Sequence, residues 1–298
     1  MKLTGLHLLL TYQCNYECDH CFIWGSPSQS GTMTLHTVRH ILQEAQEANT
    51  VKWIYFEGGE PFLYYPVLLR GVREATALGF QVGIVTNSYW ATEIEDAIEW
   101  LRPMTGLIQD LSVSADAYHG SEESNQLAGN VRAAAESLGM PVDAISIAQP
   151  QADSAPSSGQ LQPGESEVMY RGRATEQLAG QATSQPWQGF TECPHEDLRQ
   201  PGRLHVDPFG NLHICQGISV GNLFQTPLRD ICAAHDPDSF PIVGPLLEGG
   251  PAELVRRYGL SHEEGYADAC HLCYQARRAL RQRFPQVLLP DQMYGVFE

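Results

Sequence analysis

Apolar and polar positions alternate between two periods along the first half of the chain. Leu6 to Leu10 is a continuous apolar run of strand length. Behind Thr34, a residue suited to cap a helix, Leu35, Val38, Ile41, Leu42 and Ala45 fall on one helical stripe. Val51 to Phe56 is rich in β-branched and aromatic residues and predicts a second strand. Pro66 suits the first turn of the next helix and Gly79 its C′ position, and Val82 to Thr86 reads as a third strand. Thr92-x-x-Glu95 has the form of a capping box ahead of Ile94, Ala97, Ile98 and Leu101, with Pro103 as the stop. Leu107 to Ser114 predicts a fourth strand, Ser121 caps a helix running to Gly139, Val142 to Ala148 predicts a fifth strand and Glu167 to Tyr170 a sixth. Strand and helix in turn predict an α/β fold with a parallel sheet and right-handed crossovers, whose ligand-binding loops sit at the C-terminal strand ends.

Two stretches break this rhythm. Gln149 to Ser166 is polar and rich in Pro, Gly and Ser, with almost nothing to bury. It leaves a strand at the ligand-binding end, where a long connection is either a lid or a slack linker. Residues 175 to 189 are rich in Gln, Ala, Ser and Thr and mark a boundary near Pro186. The expected division is therefore 1–185 and 186–298. Beyond it, Asp207-Pro208-Phe209-Gly210 reads as the turn of a hairpin continuing to Cys215, and Leu272, Ala276, Ala279 and Leu280 have helical spacing. Arg277, Arg278, Arg281 and Arg283 then sit in the C-terminal half of a helix, where cations complement its dipole.

The chemistry is concentrated in the cysteines. Cys14, Cys18 and Cys21 form C-x3-C-x2-C directly after the first strand. Three close thiolates suit an iron–sulfur cubane with one iron left open; a zinc site of the same cysteines with His20 is the alternative. Glu57-Gly58-Gly59-Glu60-Pro61 follows at the end of the second strand. Together the two segments resemble the radical SAM superfamily. The resemblance implies a partial (β/α)6 TIM-like barrel whose open iron chelates S-adenosylmethionine (SAM) and cleaves it reductively to a 5′-deoxyadenosyl radical. It assigns Gly58, Gly59, Glu60 and Pro61 to the methionyl amine and His20 to the usually aromatic position beside the adenine. Asn87, after the third strand, and Ser112, Ser114 and Asp116, at the end of the fourth, match positions near the rest of the cofactor. Without the resemblance, the two serines are strand-end hydroxyls and Asp116 a turn former. Arg171-Gly172-Arg173-Ala174 resembles a GRA segment of relatives with C-terminal cluster domains; a plain turn with solvated arginines is the alternative.

A second set comprises Cys193, Cys215 and the pair Cys270-x2-Cys273. It resembles the SPASM/twitch extension of radical SAM enzymes. Too few cysteines are present for two auxiliary clusters, so the resemblance implies one auxiliary [4Fe-4S] cluster in a small twitch-like domain, hence two clusters in all. Four thiolates on a structural zinc are the alternative. Four available thiolates describe a closed cluster, suited to moving an electron. Cys232 is left over and reads as a packed helical thiol, with a hydrogen-atom donor or spare ligand as the alternative.

Lys and Arg number 18 against 35 Asp and Glu, for a net charge of −17. That balance disfavours nucleic acid as substrate. No apolar run reaches membrane-spanning length and no signal peptide is visible; eight cysteines without export point to metal ligation in a reducing, cytoplasmic setting. Three functions are compatible with these residues: modification of a peptide or protein, oxidation of a small sugar-like alcohol, and electron carriage without SAM chemistry. The GGEP segment argues against the third. The enzymatic readings require an electron donor such as a flavodoxin or ferredoxin. With the first strand expected by about residue 6, no room is left for an N-terminal peptide-recognition domain, which a separate protein could supply.

Overall fold

The computed structural model describes every residue except 120, 121, 151–164 and 298. The expected cap Ser121 and most of the Gln149 to Ser166 segment lie outside the described residues. In chain order come β1 (Gly5–Thr11), α1 (Leu35–Ala48), β2 (Trp53–Gly58), α2 (Tyr65–Ala77), β3 (Gln81–Thr86), α3 (Ile94–Leu101), β4 (Asp110–Ser114), α4 (Glu122–Ser137) and β5 (Asp143–Ile147). There follow β6 (Glu165–Ser166), α5 (Ala174–Gln177), β7 (Gln185–Pro186), β8 (Arg203–Val206), β9 (Asn211–Cys215) and β10 (Ile218–Asn222). The chain closes with α6 (Leu228–Ala234), α7 (Val243–Tyr258, broken at Gly249 and Gly250), β11 (Gly265–Tyr266) and α8 (Ala269–Leu280).

Nine strands form one mixed sheet in the order β10-β9-β8-β1-β2-β3-β4-β5-β6. Neighbours from β1 to β6 are parallel, β8 lies parallel against the other side of β1, and β8, β9 and β10 form an antiparallel meander. The last strands therefore extend the same sheet as the first. Leu6, Leu8, Ile54, Phe56, Val82, Ile84, Leu111 and Val113 are buried on one face. Helices cover that face, and α2 approaches closely enough that a Cβ on Gly71 would meet the Phe56 ring at 2.8 Å. The alternate positions carry a different chemistry. His7 pairs in register with Tyr55 and with His205, and Glu57, Asp110 and Ser112 lie on the same face.

Local expectations hold where the signal is local. Thr34 caps α1 by accepting the Thr37 N–H, and Pro66 and Gly79 bracket α2 as expected. Three differ. Thr92 is not the cap of α3: Glu93 holds that position, and the Thr92 hydroxyl donates instead to Asp96 at 2.5 Å. Strand β6 spans 165–166, and 167–170 carry no strand; Val168 and Tyr170 are apolar there because they pack with Ala174 and Leu178 in a separate small cluster. Arg277 is not a surface cation at the end of α8 but is 1% exposed.

Candidate active site

The site is built on a close crossing of two loops. After β1 the chain turns through Cys14, Cys18 and Cys21, and after β2 the glycine segment is laid against it. Gly59 N–H donates to the Thr11 carbonyl at 2.7 Å and Glu60 N–H to that of Gln13 at 2.9 Å. A Cβ on Gly59 would lie 2.1 Å from the Gln13 oxygen, so only glycine fits this approach. From the far end of the sheet Arg171 to Ala174 closes over the same loop. Gly172 has φ +62°, and a Cβ there would meet the Cys21 carbonyl at 2.5 Å. Arg173 donates to the carbonyls of Cys18 and Gly25, both at 2.8 Å. The reading of this segment as solvated arginines is therefore overturned: Arg171 and Arg173 are 6% and 8% exposed.

These loops wall a cavity of about 380 Å³. The three cysteines, Gly58, Gly59, Asn87, Ser114, His20 and Asp116 all line it, together with Glu57, His119 and Arg171. Ser112, Glu60 and Pro61 are not part of the wall. Ser112 donates to Asp110 at 3.2 Å, and Pro61 heads a short 3-10 turn. Glu60 is fully buried, and its carboxylate accepts from Phe62 N–H (2.9 Å), Asn87 N–H (2.7 Å) and the Thr86 hydroxyl (2.9 Å). Its side chain acts on the cavity through Asn87. The Asn87 amide reaches Asn15 Oδ1 at 2.9 Å and Cys14 Sγ at 3.5 Å. Burial pushes Glu60 up to about 7 against the pull of its three donors.

His20 does not join the thiols as a zinc reading would require. Its Nε2 lies 3.4 Å from Asp116 Oδ2, and its ring packs against Tyr118 at 4.6 Å between centroids. His119 Nδ1 donates to the other oxygen of Asp116 at 2.7 Å. Burial works to raise Asp116, but the two imidazoles outweigh it and hold the carboxyl well below its ordinary value. His119 escaped the sequence reading; its spacing three residues after Asp116, in a short turn, was the available signal.

The first cysteines fit an iron cluster by their chemistry. Burial pushes Cys14 up to about 12 and Cys18 higher still, and the neighbouring thiolates add to the rise. Such thiols hold their protons unless a cationic centre supplies the opposing charge. The second set behaves alike. Burial raises Cys193 and Cys270 and lifts Cys273 to about 11, and the charge of Cys215 acts on all three. Those four cysteines line one small cavity together with Arg171 and Arg277. Arg171 Nη1 donates to Cys215 Sγ at 3.4 Å, while Nε of Arg171 and Nε of Arg277 are buried with no protein acceptor. Orphan donors around four thiols suit an anionic cluster whose sulfides accept hydrogen bonds. Cys232 stands apart on α6, its thiol raised by burial and packed against the core.

Comparison with known proteins agrees with the geometry. Residues 8–131 match the family described as the Radical SAM superfamily. The chain is 30% identical over 111 residues to a putative peptide biosynthesis protein, YydG, of Bacillus subtilis, covering 37% of this chain and 35% of that one. It is 35% identical over 107 residues to a cofactor-modifying protein of a tungsten-containing aldehyde ferredoxin oxidoreductase in Pyrococcus furiosus, covering 36% and 28%. The chain thus spans about a third of the length of the curated relatives it matches. Among solved structures, anSMEcpe with bound AdoMet and a Cp18Cys peptide superposes with a TM-score of 0.50 at 12% identity, over 95% of this chain and 97% of the other. Among the described residues no helix is long and apolar enough to cross a membrane.

Proposed function

We propose that this chain, whose residues 8–131 match the Radical SAM superfamily, is a radical SAM enzyme that oxidatively modifies a peptide or protein substrate held in the cavity at the cysteine loop. One observation carries this reading: Arg171 lines the cavity bounded by Cys14, Cys18 and Cys21 and at the same time donates to Cys215 of the second set. A substrate in the cavity is thus one side chain away from both groups of thiols.

In this reading Cys14, Cys18 and Cys21 hold a [4Fe-4S] cluster with SAM, and Cys193, Cys215, Cys270 and Cys273 hold an auxiliary [4Fe-4S] cluster. When bound, the first supplies reductive cleavage of SAM to methionine and a 5′-deoxyadenosyl radical, and the second an acceptor for the electron left on the substrate. The chain's own residues do the rest. Gly58 and Gly59 bring backbone close to the cofactor, His20 and Asp116 wall its nucleoside end, and Asn87, fixed by Glu60, borders Cys14. Arg171, with its guanidinium carbon 5.2 Å from the Phe22 ring centroid, stands between the two thiol groups. The sheet is read as a partial (β/α)6 barrel (1–185) carrying a twitch-like unit (186–298). The likeness to a peptide biosynthesis protein supports a peptide over a small alcohol.

The test is anaerobic incubation of reduced, cluster-loaded protein with SAM and a panel of peptides. Production of 5′-deoxyadenosine, with a peptide that loses two hydrogens, is expected. Turnover of small polyols instead would move the assignment to an alcohol dehydrogenase, and no 5′-deoxyadenosine under any condition would sink the enzymatic reading.

A further inference from the structure

The polar face of the sheet holds a group that the cluster chemistry does not use. His7 on β1, Glu57 on β2 and His205 on β8 belong to three adjacent strands, and one ligand atom from each lies within 4.8 Å of the other two. His7 Nδ1 is 3.3 Å from Glu57 Oε2, and His205 Nε2 is 3.0 Å from Glu57 Oε1. Metal–ligand bonds of about 2.0 to 2.2 Å at angles between 90° and tetrahedral put neighbouring donors about 2.9 to 3.5 Å apart, the range observed here.

The His7–Glu57 contact is within hydrogen-bond geometry, whereas the His205–Glu57 contact is not aligned as one. Glu57 Oε1 is buried and has no aligned hydrogen-bond donor although His205 Nε2 is 3.0 Å away. A cation held between His205 Nε2 and Glu57 Oε1 would satisfy both atoms.

The surroundings hold the rings as ligands are usually held. His7 stacks on Tyr55 at 4.5 Å between centroids, and Tyr55 is fixed by its hydroxyl to Asp110 at 2.8 Å. The Gln216 side-chain nitrogen lies 3.5 Å from His205 Nδ1, the ring nitrogen that faces away from Glu57, and also within reach of Nε2. Access exists from two sides. Glu57 is in the wall of the cavity at the cysteine loop, and His7 lines a separate opening of about 440 Å³ with Thr4, Tyr55 and His195. Arg203, also on that opening, is occupied by Glu196 at 3.1 Å.

We propose that His7, Glu57 and His205 bind one divalent metal ion of the zinc and iron(II) class at the wall of the active-site cavity. Two imidazoles and a carboxylate suit that class and leave a position for an oxygen or nitrogen atom of the substrate. The three residues lie 50 and 148 positions apart, so no sequence motif announces them. The site stands independently of the cluster chemistry proposed above.

Cobalt(II) is the probe. Cluster-loaded protein equilibrated anaerobically with Co2+ and then desalted is expected to retain one equivalent showing visible ligand-field bands without thiolate-to-cobalt charge transfer. Glu57→Gln and His205→Gln should each weaken that binding by about tenfold or more, with iron content unchanged. Wild-type protein that retains no cobalt, or retains it only with thiolate charge transfer, overturns the proposal, as does undiminished binding in both variants. If either variant fails to fold, the wild-type stoichiometry and spectrum decide alone. Protein without iron that still takes up one cobalt through nitrogen and oxygen ligands supports this site and sinks the cluster reading instead.

Discussion

The Arg173 guanidinium grips the loop of Cys18, donating to the Cys18 carbonyl at 2.8 Å while its other terminal nitrogen holds Gly25 at the same distance. A residue after β6 thereby fixes the shape of a loop after β1. Arg173→Ala leaves two carbonyls without their charged donor, at about 1–3 kcal/mol each. Such protein should load iron at the second cysteine set and poorly at the first. Iron content with and without Cys273→Ala reads the difference.

The glycine crossing gives a second prediction. Gly59→Ala places a methyl 2.1 Å from the Gln13 carbonyl, backbone against backbone, where no side chain can move aside. The expected cost is about 3 kcal/mol or more, with loss of SAM binding. A thermal unfolding temperature and SAM affinity equal to wild type would contradict the crossing as described.

Glu60 predicts a pH dependence. Burial raises its folded-state value to about 7, so from the ordinary carboxylate value up to about 7 the folded protein binds more protons than the unfolded chain. Stability from this group is therefore fully present at low pH and falls as pH rises through that window, by an amount on the order of 3 kcal/mol. Thermal melts from about pH 5 to about pH 7 should fall more steeply for wild type than for Glu60→Gln. Parallel curves would refute the assignment.

The cysteine sets separate by function. Cys14→Ala, Cys18→Ala and Cys21→Ala together should halve the iron and abolish 5′-deoxyadenosine. Cys273→Ala should retain SAM cleavage and lose substrate oxidation. If Cys273→Ala oxidises substrate at the wild-type rate, the second set has no electron-transfer role.

What the sequence revealed was local. The stripe Val38, Ile41, Leu42 and Ala45, the cap at Thr34 and the spacing of Cys14, Cys18 and Cys21 each sit within a turn or two of helix or a single loop, and each was legible. Partners far apart in the chain were not. Solvated arginines stayed open as an alternative at Arg171 and Arg173, and Arg277 read only as a cation complementing a helix dipole, because long cationic side chains seldom leave water and only the folded chain supplies the carbonyls and thiols that bury them. Val168 and Tyr170 carry the apolar alternation of a strand yet pack against α5 rather than pair. The polar face of His7, Glu57 and His205 was hidden for the same reason: its members meet only through register.

The pairing of β1 with β8 has a consequence for how the protein is made. Thr4 and Gly202 hydrogen-bond across 198 residues of sequence, so the strand that leads into the cysteine loop gains its second neighbour only after most of the chain has left the ribosome. Until then β1 has an open edge, and before residue 173 is made the thiols after it also lack the Arg173 clamp. Closing so long a loop is slow. If Cys14, Cys18 and Cys21 hold the proposed cluster, the order of synthesis leaves them accessible to whatever delivers iron and sulfide before the sheet seals.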